Sequence, residues 1–388
     1  MDNVKKAKKR IGEDDIIDPI FEEMAKKHYK QYHPYYLPRL LMRMFSVEEA
    51  KIAMLLPASP EEIAKKLNVS VKYVESKLEK FVMKGCVLKK KDGSIVPLFS
   101  RVQIGDFSCH PAFDDDRGLD FFPLLSAWVQ DKDAGGAESE AAMMVAMGGG
   151  RPVSRVLPKW KAIKDIPGVM PCEDVREILK GAEKLSSTRC PCRHINKHLH
   201  GECSVHNAEG KGFRQTPWDG FCIKLDRTAE YYVEAMKIQP YHTVEDVLKK
   251  LDALDNTSAY HIATNNVVSK ILCNCCPDHC DLRTVSQNYP KIKLSTFLDP
   301  SRFCSVVDLA KCNGSGVCAS MCPFEAIVLE NGKAKIDPDK CMGCGVCVIN
   351  CPNKALKLKI VRPADFIPTS GDPEFLEKII FGDVEVNV

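Results

Sequence analysis

Two thirteen-residue stretches constrain this chain more than anything else in it: KCNGSGVCASMCP at 311–323 and KCMGCGVCVINCP at 340–352. Each opens on lysine, carries Gly-Val-Cys at its centre and closes on Cys-Pro, and the offset is 29 residues (340 − 311). One cysteine position disagrees, since Cys344 of the second copy is answered by Ser315 in the first. Thiolates gathered at such spacing are metal ligands or redox groups in a reducing compartment, and the chain holds 19 cysteines. The N-terminal MDNVKKAKKRIGEDD is charged but has no apolar stretch behind it, so no secretory signal is expected and the expected compartment is the cytoplasm.

C-x2-C-x2-C-x3-C-P is the run of bacterial two-cluster ferredoxins, in which the fourth cysteine ligates the other cluster. Three close thiolates wrap one corner of a cubane, and the proline turns the chain to send the fourth across. Residues 301–361 resemble the bacterial-type dicluster ferredoxin domain, with an intervening hairpin expected to turn at Asn331-Gly332. The resemblance implies one [4Fe-4S] cluster on Cys341, Cys344, Cys347 and Cys322. It implies a second on Cys312, Cys318 and Cys351, with Ser315 at the fourth place. A serine hydroxyl is a hard oxygen donor that keeps its proton at neutral pH, unlike a thiolate. The second site is therefore a [3Fe-4S] cluster, a labile [4Fe-4S] cluster whose odd iron meets Ser315 or solvent, or empty, and the first two rank ahead. Cys304 swinging into the corner is a further alternative.

The middle of the chain holds two more cysteine groups: Cys190, Cys192, Cys203 and Cys222, then Cys273, Cys275, Cys276 and Cys280. Four thiolates suit either a tetrahedral zinc or a cubane, and neither group has the paired C-x2-C of a zinc ribbon. A third iron–sulfur cluster built from one set or a mixture of both, structural zinc, and free or redox-active thiols all remain open. Cys-Pro-Cys-Arg, then FCIKLDRTAEYYVE, then ILCNCC ahead of the repeat resembles a group of multi-cluster iron–sulfur proteins of anaerobes, many with an N-terminal winged-helix-like region. That resemblance, over roughly 45–360, implies electron transfer beside an oxidoreductase. His194 and His198 lie four apart and could share a helical face with a metal, or form a solvated basic face with Arg193 and Lys197. His200, His206 and His279 lie near the same cysteines. Cys86, Cys109 and Cys172 stand alone and read as packing residues.

The remaining text divides into a charged segment at 1–35, a winged-helix-like region at 36–100, a mixed α/β cysteine-rich region at 101–300 with its cysteines expected at loops, the repeat domain at 301–361 and a tail at 362–388. The fold class is α+β. Ser46–Glu49 and Ser59–Glu62 read as capping boxes, Val71, Val74, Leu78 and Phe81 as one helical face, and 86–98 as a hairpin turning at Asp92-Gly93. Residues 134–150 read as a linker or as one short helix between flexible ends, the helix ranking first; helices are also expected near Glu173, from Thr243 with a capping box to Asp246, and around 373–380. In the winged-helix reading Lys72, Tyr73, Ser76, Lys77 and Lys80 would face DNA, with Lys89, Lys90 and Lys91 on the wing.

Against DNA, Glu75 and Glu79 interrupt those lysines, and 55 basic against 52 acidic residues leave a net charge of only +3. No apolar run reaches the length of a membrane span. A Gly-rich dinucleotide turn, a phosphate loop and His-Glu-x-x-His are all missing, so a nicotinamide or flavin would sit on a partner. The reading is an electron-transfer subunit serving an oxidoreductase or flavoprotein. The alternatives are a redox-sensing DNA-binding regulator and a reductase with substrate at an open-coordinated iron.

Overall fold

The computed structural model describes residues 10–29, 32–133, 135–148, 150–200, 221–369, 377, 378 and 381. It mixes helix and sheet and divides into two compact units, 1–139 and 140–388. No helix among the described residues is long and apolar enough to cross a membrane.

In the first unit, the Ser46 and Ser59 hydroxyls each accept from the N3 amide while Glu49 and Glu62 reach back to the cap amides, starting the helices Val47–Ala53 and Pro60–Leu67. Ser70 caps a third, Val71–Lys84, which buries Val74, Leu78 and Phe81. Gly85 ends it in the left-handed region, with its Cα so close to the Phe107 carbonyl that a Cβ would lie 2.0 Å from that oxygen. Strands β1 (Val87–Lys89) and β2 (Ile95–Pro97) then pair antiparallel about Gly93. Phe45 and Phe81 meet edge-to-face at 5.0 Å inside this unit.

The second unit is built on a six-stranded sheet of β3 (Ser154–Leu157), β4 (Leu185–Thr188), β5 (Cys222–Leu225), β6 (Tyr260–Thr264), β7 (Ile271–Cys275) and β8 (Leu298–Asp299). The order is β4-β5-β7-β6-β3-β8, antiparallel throughout except β3 with β8. Alternation decides what each face carries. One face presents Leu157, Leu185, Ile223, Leu225, Ala263 and Leu272 to the helices Val175–Lys180 and Val244–Asp252, which close the core with Val175, Leu179, Val247 and Leu251. The register places Thr188, Cys222, Cys273, Cys275 and Tyr260 together on the other face.

The repeat supplies β9 (Phe303–Val307), β10 (Ile327–Glu330), β11 (Lys333–Ile336) and β12 (Leu356–Ile360). β9 pairs with β12 and β10 with β11, the latter turning at Asn331 and Gly332, both with positive φ. Phe303 and Leu358 pack on Ile163 of the helix Trp160–Ile163, seating the repeat on the same unit as the sheet. The tail helix expected around 373–380 lies mostly outside the described residues.

Candidate metal centres

The 29-residue offset is written into the backbone well beyond the cysteines. Gly314 and Gly343 both have positive φ, as do Gly316 and Gly345, and Glu325 and Lys354. A Cβ on Gly314 would lie 2.3 Å from the Gly332 carbonyl oxygen, and one on Gly343 would lie 2.2 Å from that of Phe303. Gly316 and Gly345 then start the short helices Val317–Ser320 and Val346–Ile349, on which Cys318 and Cys347 sit at equivalent places.

Two cavities result. One is lined by Cys322, Cys341, Cys344 and Cys347. The other is lined by Cys312, Ser315, Cys318 and Cys351. Each takes one sulfur from the opposite copy. Backbone amides point at the sulfurs with the same symmetry: Ala326 N–H donates to Cys322 and Ala355 N–H to Cys351, both at 3.3 Å. Ser305 N–H donates to Cys341 at 3.5 Å and Ala334 N–H to Cys312 at 3.4 Å. Ser305 adds a hydroxyl 3.3 Å from the Cys347 sulfur.

Burial pushes the Cys347 thiol up to about 12 and the Cys344 thiol well above its ordinary range, the neighbouring cysteines adding to both. Buried thiols converging on one cavity stay protonated unless a cation draws the protons off, which suits iron. Four soft sulfurs with amide donors fit a cubane.

The two cavities differ where the sequences differ. Cys344 is buried at 7% exposure, whereas Ser315 is exposed, its amide folded back onto Asn313 Oδ1 at 3.2 Å. Lys159 lies beside Cys344: its amide donates to the Cys344 carbonyl at 2.8 Å, and its buried ammonium reaches the Leu254 carbonyl at 3.2 Å and Asp255 at 3.6 Å. Cys304 sits against Cys341 in a common apolar cluster, beside the four-sulfur cavity and away from the Ser315 corner. Burial and Cys341 push its thiol up to about 11.

The middle cysteines were expected on loops, but Cys222, Cys273 and Cys275 are strand residues and Cys192 lies on the helix Pro191–His200. The I-L-C-N-C alternation of β7 gives the reason, sending Leu272 to the core and Cys273 and Cys275 to the opposite face. The two groups separated in the sequence are one gathering in space. Cys190 touches Cys192, Cys222 touches Cys273, Cys273 touches Cys275, and Cys275 touches Cys280. As bare thiols they share protons: Cys190 is held below its usual range by the Cys192 thiol, and Cys273 by Cys222 and Cys275.

Cys276 turns toward His279, and with Asp278 the three ligand atoms lie within 4.8 Å. Burial opposes charge on His279, but bonds to Asp278 and Cys276 outweigh it and push its pKa up to about 10. Arg193 and His194 are buried at 2% and 6% exposure, so the solvated basic face does not form at these two positions. Cys203 and His206, and the side chains of His198 and His200, lie outside the described residues. Cys86, Cys109 and Cys172 are buried.

On the first unit, Lys77 and Lys80 face Glu49 at 3.0 and 3.7 Å, and Lys80 also faces Asp116 at 3.5 Å. Lys72, Tyr73 and Ser76 are exposed. Ser305, Lys159, Thr188, Tyr260 and Phe324 escaped the sequence reading. Carrying the 29-residue offset upstream of Cys312 would have matched Ser305 to Ala334; nothing local marks the others.

Residues 334–357 match the 4Fe-4S binding domain family, covering the copy with all four cysteines and part of the hairpin before it. No curated protein and no solved structure matches the chain. The chain thus carries a 4Fe-4S binding segment and the general iron–sulfur electron-transfer role that goes with it.

Proposed function

We propose that this chain is an electron-transfer protein or subunit that passes single electrons to or from an oxidoreductase or flavoprotein partner through two C-terminal clusters. The observation that carries this reading is the pair of sulfur-lined cavities with exchanged ligands. Cys341, Cys344, Cys347 and Cys322 would hold a [4Fe-4S] cluster, with Ser305 and the backbone amides donating to its sulfurs. Cys312, Cys318 and Cys351 would hold the second, a three-iron or labile four-iron cluster, because Ser315 supplies no thiolate and faces solvent. The three helices and hairpin of the first unit support a winged-helix reading. Carboxylates paired with Lys77 and Lys80 favour protein docking over DNA for that unit.

The test is EPR-monitored reduction of anaerobically purified protein. Stepwise one-electron signals from two clusters, lost on substituting Cys341 and Cys347 or Cys318 and Cys351, are expected. A repeat region that binds zinc, or iron that accepts no electron from dithionite, would overturn the reading. Gel shifts with promoter DNA at physiological salt separate the regulator, which alone requires a specific complex.

A further inference from the structure

The thiols in the middle of the chain outnumber what any structural role requires. Four of them, Cys222, Cys273, Cys275 and Cys280, form a run of contacts along β5, β7 and the start of one helix, and the touching pair Cys190 and Cys192 stands at the start of another, near enough for Cys190 to act on Cys222 and Cys280 on Cys192. The helix Pro191–His200 carries Cys192 in its first turn, and Cys280 is the N-cap of Asp281–Asn288.

Two buried hydroxyls on the same sheet face lack a hydrogen-bond partner among the described residues: Thr188 Oγ1, opposite Cys222, and Tyr260 OH, on the strand position opposite Cys275. The charges of Cys280, Cys275 and Cys276 all act on that phenol. Orphaned donors at 1% and 0% exposure are costly unless something supplies acceptors, and a cluster's sulfurs are acceptors. Two cations stand by as well, Arg193 acting on Cys190 and Cys273, and Lys224 on Cys222 and Cys273. Zinc is the poorer occupant. Its structural sites use four ligands in pairs with two to four residues between them, while these are two C-x-C pairs with two more thiols beside them.

The same phenol points to a connection. The Tyr260 ring packs against that of Phe324 with centroids 4.7 Å apart, and Phe324 lines the four-sulfur cavity two residues after Cys322. The Arg283 guanidinium lies over the far ring at 5.6 Å and pairs with Glu325 at 3.2 Å, holding the loop in place.

We propose that these six cysteines form a third metal site that takes one iron–sulfur cluster, joined to the Cys322 site through Tyr260 and Phe324. The joining rests on the electron-transfer reading above. In it one electron leaves the reduced Cys322-side cluster, which is oxidised by one unit, and the middle cluster is reduced by one, with no proton moved. Four thiolates suffice for a cubane, and the touching run Cys222, Cys273, Cys275 and Cys280 supplies them, with Cys190 and Cys192 as neighbours of the cluster rather than ligands.

The experiment uses the full chain, purified anaerobically and reconstituted with ferrous iron and sulfide, and read by native mass spectrometry with iron, zinc and sulfide assays. Wild type should carry one cluster more than the C-terminal pair. The double variant C273S/C275S should lose about a third of the iron while retaining the C-terminal signals. A wild-type mass with two clusters only, zinc in the middle site, or iron unchanged in C273S/C275S would overturn the proposal, and the wild-type mass decides even if the variant does not fold. The variant C344S/C347S keeps the middle cluster; iron unchanged there would instead sink the C-terminal reading. In fully reduced wild type, EPR should show spin coupling between the middle and Cys322-side clusters that disappears in C273S/C275S. Independent, unsplit signals would overturn the joining.

Discussion

Ser315 and Cys344 occupy equivalent turns, yet one faces solvent and the other is sealed beside Lys159. Ser315→Cys should therefore convert the odd cluster to an ordinary four-iron form and remove any three-iron EPR signal from oxidised protein; a signal that persists unchanged would place the missing corner elsewhere. Ser305 acts on the other cluster. Its hydroxyl near Cys347 stabilises added negative charge, and a bond of about 1 kcal/mol corresponds to tens of millivolts for a one-electron couple. Ser305→Ala should lower the reduction potential of the Cys341-side cluster by that order in spectroelectrochemistry and leave its neighbour unmoved. His28 makes a prediction of a different kind. Burial, with Lys27 beside it, lowers its pKa from 6.5 to about 4. The unfolded chain then binds more protons between those values, so stability is kept above pH 6.5 and lost as pH falls through 4. Urea midpoints should drop across that window, and drop less in His28→Asn.

Gly314 and Gly343, in the loops that start the two short helices, tolerate no side chain. Gly343→Ala forces a residue at φ +67 and drives its Cβ to 2.2 Å from both the Phe303 carbonyl and the Ser301 hydroxyl oxygen. Iron should be lost from the Cys341-side cavity, which the mass of the anaerobic variant reports directly; a fully loaded variant would show that the loop yields. At this scale the sequence was readable wherever chemistry is local. The capping boxes at Ser46, Ser59 and Thr243 formed, and the Asp92-Gly93 and Asn331-Gly332 turns joined strand pairs. The cavities could also be anticipated, because the resemblance to dicluster ferredoxins implies which sulfurs cross. What was not readable was long-range pairing. Cys222 meets Cys273 only because β5 and β7 are neighbours in the sheet, a fact that no fifty-residue separation announces. Tyr260 is likewise an ordinary strand tyrosine until its register opposite Cys275 is known.

Across the molecule, much of the repeat's core is made of its cysteines: Cys318 and Cys347 share one cluster with Ile327, Ala334 and Leu356, and Cys304 and Cys341 another with Ala326. Removing metal takes away the atoms these sulfurs pack around. A group bound a thousandfold above its dissociation constant contributes about 4 kcal/mol, on the order of 10 °C in a unit of this size. Chelation under anaerobic conditions should lower the melting temperature of the second unit by at least that much, followed calorimetrically; an unchanged transition would mean the repeat stands without its clusters. The exchange of ligands has a consequence in time. Cys351 completes the first set and Cys347 the second, while β9, at the beginning of the repeat, is closed by β12 at its end. A ribosome that has made the first copy has made most of one site, a single sulfur of the other and the whole of neither. Iron has no stable home in the repeat until its last thirty residues emerge, so loading is a late event in the life of the chain, and a truncation ahead of Cys347 would cost both clusters at once.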